Sequence, residues 1–133
     1  MKAHLVWILI LVLGSGATAQ AAAAGIAGTW EGESKCTVPL PCRDEHVVYE
    51  IKPDPQAADH FTVDAYKIVS GERNFMGTIE CHYPPAPATM RCIGRRPGDV
   101  WTFTIAGNSM TGTLTVGAEK KLYRKVQVSR MQK

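Results

Sequence analysis

Between Gly28 and Arg130 the chain is a succession of short alternating runs of apolar and polar side chains, each ended by Gly, Pro, Asn or Asp. Ser109–Val116 is the clearest case. Met110, Gly112, Leu114 and Val116 fall on one side of an extended backbone, and Thr111, Thr113 and Thr115 fall on the other. A period of two belongs to a strand with one face in a core, since successive side chains point to opposite faces of a sheet. No window carries the i, i+3, i+4, i+7 apolar stripe of an amphipathic helix, so the expected class is all-β.

Eight strands are predicted on this basis: about Gly28–Cys36, Glu45–Ile51, Phe61–Val69, Asn74–His82, Thr89–Ile93, Val100–Ile105, Ser109–Val116 and Leu122–Arg130. Lys52-Pro53-Asp54-Pro55, Ser70-Gly71-Glu72-Arg73, Pro84-Pro85-Ala86-Pro87, Gly94-Arg95-Arg96-Pro97-Gly98, Ala106-Gly107-Asn108 and Gly117-Ala118-Glu119 supply the turns. Every connection is short enough to be a hairpin. Closing such a meander removes both exposed edges, whereas a sandwich leaves edges to protect. The expected architecture is an eight-stranded antiparallel up-and-down β-barrel.

The N-terminus reads as a signal peptide. Lys2 gives a positive start, Leu5–Leu13 is a nine-residue apolar run, and Ala19-Gln20-Ala21 offers small residues for cleavage after Ala21. Nine residues fall short of the roughly 20 needed to span a bilayer. No other stretch is long and apolar enough for a membrane span. Residues 22–133 are then one exported domain, and the formal net charge of +3 drops by one with the loss of Lys2. That balance argues for neither nucleic acid nor a membrane surface as partner. It is unevenly spread, however. Residues 22–90 carry five basic and ten acidic side chains, residues 91–133 nine and two. A barrel would set these on opposite walls.

Four cysteines lie in the exported part, and an even count there reads as two disulfides. Cys36–Cys42 and Cys81–Cys92 are favoured because each pair brackets a turn-like or proline-rich connection. Zinc is the alternative for Cys36, Cys42 and the nearby His46, but a five-residue gap fits structural zinc spacing poorly. No metal and no cofactor is expected.

Ala27-Gly28-Thr29-Trp30 resembles the Gly-x-Trp that opens the first strand of lipocalins and avidins, the calycins. The resemblance implies a barrel closed at one end by Trp30, entered closely by the chain at Gly28. It also implies that a basic side chain of the last strand packs on the indole. Arg124 and Arg130 are in phase for that role, and Arg130 is nearer the start of the first strand. Only Trp30 and Trp101 survive cleavage, too few for the tryptophan-rich biotin site of avidins.

Catalysis is not expected. His46, His60 and His82 sit in no nucleophile frame, and the carboxylates beside them in sequence point to opposite faces of a strand. Glu31, Glu33, Glu50 and Glu80 read as scattered carboxylates. The inward set of Trp30, Tyr49, Phe61, Phe75, Met90, Trp101, Phe103, Met110 and Leu114 either fills the barrel or lines a ligand cavity, and an eight-stranded barrel is of the size where both occur. Three functions follow: a carrier or sequestering protein for a small apolar ligand, a protein-binding or inhibitory module using rim loops, or an envelope structural protein without ligand. Nothing in the sequence selects an oligomeric state.

Overall fold

The alternation of Ser109–Val116 is realised as the seventh of eight strands, whose Gly112 and Leu114 share the inner face with Met110. The computed structural model describes residues 25–132. The strands are β1 (Gly28–Cys36), β2 (Glu45–Pro53), β3 (His60–Val69), β4 (Glu72–His82), β5 (Thr89–Ile93), β6 (Val100–Ala106), β7 (Ser109–Val116) and β8 (Lys121–Arg130). Each pairs antiparallel with the next, and β8 returns to β1, so the sheet closes into an up-and-down barrel. No helix among the described residues is long and apolar enough to cross a membrane. The expected signal peptide, residues 1–21, lies outside the described residues.

Both expected disulfides are present. Cys36–Cys42 closes the loop between β1 and β2, and Cys81–Cys92 joins directly opposed residues of β4 and β5 with Cα atoms 4.0 Å apart. No free cysteine remains among the described residues, so the thiols are not available to the zinc alternative. Disulfides of this kind suit an oxidising extracellular or periplasmic environment.

The core divides along the barrel axis. At the end formed by the start of β1 and the end of β8, Trp30, Ile26, Phe61, Met90, Met110 and Val128 are buried together. Toward the other end the inner wall is Tyr49, Val63, Phe103 and Leu114, joined by the partly buried Ala65, Ile79 and Trp101.

Two irregularities break the alternation. On β4 the register shifts at Met76, because Ala65 faces Gly77 while Tyr66 faces Phe75. The extra residue turns Phe75 to the outside, where it is 60% exposed and packs on Tyr66 with ring centroids 5.4 Å apart. Phe75 was expected on the inner face with Gly77, and the bulge overturns that placement. A second bulge at Tyr123 of β8 turns Leu122 out of the inward phase, since Leu114 faces Arg124 while Thr115 faces Leu122.

Candidate functional site

Trp30 closes the filled end. Its indole N–H donates to the Ile26 carbonyl at 3.0 Å, which satisfies a polar group that would otherwise be costly to bury. The Arg130 guanidinium lies over the ring, 4.4 Å from its centroid, and donates to the Ala27 carbonyl at 2.8 Å. Gly28, at φ +132°, passes directly beneath it, and a Cβ there would stand 3.2 Å from the Arg130 Nη1. Gly28, Trp30 and Arg130 therefore form one closure.

Arg124 does not belong to that closure. It pairs in register with Cys36 on β1 and with Leu114 on β7, near the opposite end. Its side chain is only 13% exposed. It donates to the carbonyls of Arg43 (3.0 Å) and Ser34 (3.5 Å) and to the Ser34 hydroxyl (3.4 Å), and Glu45 stands 3.8 Å away. The sequence placed two arginines in the right phase but could not show that they serve opposite ends.

The open half contains a cavity of about 830 Å³. Of the nine residues predicted to line one, Tyr49, Trp101, Phe103 and Leu114 line it from the inner face, and Phe75 reaches its lip from outside. Trp30, Phe61, Met90 and Met110 instead fill the closed half. The barrel is filled at one end and hollow at the other. The floor is aromatic. Phe103 stacks on Trp101 with centroids 5.9 Å apart and meets Tyr49 edge-on at 6.0 Å. Gly112 makes room for this arrangement, because a Cβ there would come within 2.4 Å of the Phe103 ring. Burial pushes the Tyr49 hydroxyl well above the ordinary phenol range, and the neighbouring Glu45 adds to the shift. The floor thus presents a neutral phenol at physiological pH.

The wall is not continuous. β4 and β5 pair only at Cys81–Cys92 and at His82–Arg91. Beyond the disulfide, toward the open end, the strands diverge and leave a lateral slit. Arg95, in the loop after β5, reaches across it and donates to the Met76 carbonyl. Phe75 and the 73%-exposed Ile93 flank the slit, and both line the cavity.

One cluster on the outer face was missed by sequence reading. His46 sits between two carboxylates of β1, with Nδ1 2.7 Å from Glu33 and Nε2 2.8 Å from Glu31. These hydrogen bonds, Glu33 first and Glu31 second, raise its pKa above the usual imidazole value. The Glu33–His46 register across β1 and β2 is the signal that could have found it, once the pairing of those strands was drawn.

Compared with known proteins, the chain matches no family model and no curated protein.

Proposed function

We propose that this protein is exported and carries or sequesters a small apolar molecule in the open half of its barrel, acting by binding rather than catalysis. The observation that carries the reading is the cavity of about 830 Å³ floored by Tyr49, Trp101 and Phe103. Ligand sites that enclose small molecules commonly occupy about 300–1,000 Å³ and are mainly apolar with a few placed polar groups. Val63, Ala65, Ile79 and Leu114 supply the apolar wall, and Ser34 and the Tyr49 hydroxyl supply neutral polar groups. The calycin-like reading of the barrel rests on the closed antiparallel topology and on Arg130 stacked over Trp30. Export through the signal sequence at residues 1–21 is supported by the two disulfides.

Titration with the neutral probe N-phenylnaphthylamine, followed by its fluorescence and by that of Trp101, tests the reading. Saturable binding is expected in the wild type. Ala65→Trp, which fills the cavity from β3, should abolish it while keeping the cooperative unfolding transition. Absence of saturable binding, or binding unchanged in Ala65→Trp, contradicts the proposal.

A second reading, protein binding through the rim, is favoured by one feature. Leu40 is 74% exposed on the loop stapled by Cys36–Cys42. A stiff loop presenting an apolar tip loses little entropy on docking.

A further inference from the structure

The cavity contains charges that a purely apolar ligand would leave unused. Six charged side chains line it: Glu45, Lys67, Glu80, Arg95, Asp99 and Arg124. Four are engaged within the fold or turned away from the interior. Glu45 stands by Arg124, whose Nη1 donates to the Arg43 and Ser34 carbonyls and to the Ser34 hydroxyl. Asp99 is buried and accepts the Gly117 N–H at 3.1 Å, tying the loop before β6 to the end of β7. Glu80 is exposed and lies between Ile79 and Cys81, out of phase with the inner face.

Lys67 and Arg95 are left. Lys67 continues the inward phase of Val63 and Ala65 on β3 and is half-buried at the cavity wall. Arg95 crosses the slit and donates to the Met76 carbonyl, which leaves its positive charge without a counter-ion. Neither takes part in any of the ion pairs found among the described residues. Lys67 is a cation partly withdrawn from water with no carboxylate paired to it, which is disfavoured unless a ligand supplies the opposite charge, and Arg95 is exposed at the slit with no ion pair among the described residues. Both line the same space as the aromatic floor, and Arg95 stands at the slit through which that space opens laterally.

Resting on the cavity reading above, we propose that the ligand is a single-chain amphiphile with an anionic head of the carboxylate class. Lys67 and Arg95 hold the head at the lateral slit, and the tail lies on Trp101, Phe103 and Leu114. The neutral Tyr49 phenol at the floor adds no negative charge against it. Arg95 already points a guanidinium across the slit, and a planar fork of N–H donors suits a carboxylate.

The test compares dodecanoate with dodecanol, equal in tail and different in head charge, by calorimetry and Trp101 fluorescence. The wild type should bind dodecanoate about tenfold more tightly, the scale of a hydrogen bond to a charged group. Added salt should weaken dodecanoate and leave dodecanol unchanged. Lys67→Met keeps the apolar stem and should remove most of the preference, Lys67→Arg should restore it, and Lys67→Met with Arg95→Met should erase both the preference and the salt effect. Equal affinity for the two amphiphiles in the wild type, or a preference surviving in the double variant, overturns the anionic site while leaving the apolar cavity standing. Binding of neither amphiphile removes the cavity reading and this one together.

Discussion

Trp30 is the residue whose loss should be felt most. It is fully buried, hydrogen-bonded to Ile26 and covered by Arg130. Trp30→Ala should cost about 3–5 kcal/mol, the usual loss for deleting a buried large aromatic side chain. Arg130→Met should cost less, because the aliphatic stem still packs on the indole, and the losses are the cation–π contribution of about 0.5–2 kcal/mol and the hydrogen bond to the Ala27 carbonyl. Denaturant midpoints of the two variants should therefore separate widely; equal midpoints would mean the closure depends on the charge rather than on the indole. His46 makes a smaller, pH-dependent contribution. Its pKa is raised in the folded protein by Glu33 and then Glu31. The stabilisation is then fully present below the unfolded pKa of about 6.5 and is lost as pH rises through the higher folded value. Because the side chain is 40% exposed, solvent screens the pair and the effect should stay below ~1 kcal/mol. His46→Gln should lower the denaturant midpoint at about pH 5.5 and leave it nearly unchanged at about pH 9. A difference that grows with pH would contradict the assignment.

At the scale of elements, β4 and β5 are the weak seam. Their ladder is two residue pairs long, and the Cys81–Cys92 disulfide lies where the strands part. Closing a loop of this length should contribute about 3 kcal/mol, mainly by restricting the unfolded chain. Replacing both cysteines by alanine should lower the denaturant midpoint accordingly. It should also raise amide exchange along β4 and β5 before the rest of the sheet, since a short ladder opens at low cost. Uniform exchange across all eight strands would contradict a seam at this position. The strands themselves were legible in the sequence. β1, β5 and β7 begin and end where alternation and turn residues put them, and the others differ by one or two residues. Phe75 was misplaced because a count by twos assumes one residue per step, and the extra residue at Met76 leaves no mark in composition. The slit was illegible for a related reason. Alternation identifies strands and their faces, but the length over which two strands stay paired depends on where the longer one bends away.

The whole molecule joins a packed end to a hollow one, and this asymmetry also explains what sequence reading could and could not see of the site. An inward phase is a property of each residue, so Tyr49, Trp101, Phe103 and Leu114 could be named as lining residues. Whether inward side chains meet across the axis depends on their height along the barrel, which is set by strand register. Trp30, Phe61, Met90 and Met110 are packed in the core and do not line the cavity. Lys67 and Arg124 escaped notice as cavity residues for the same reason, since their places at the open end follow from pairing with Val47 and Leu114. The proposed carrier role depends above all on the open half holding a small molecule. Native mass spectrometry of the protein isolated from its own cells tests this most directly. A non-covalent adduct of small-molecule mass should accompany the wild-type chain and be missing from Ala65→Trp. A bare polypeptide mass in the wild type, or an adduct that persists when the cavity is filled, would contradict it.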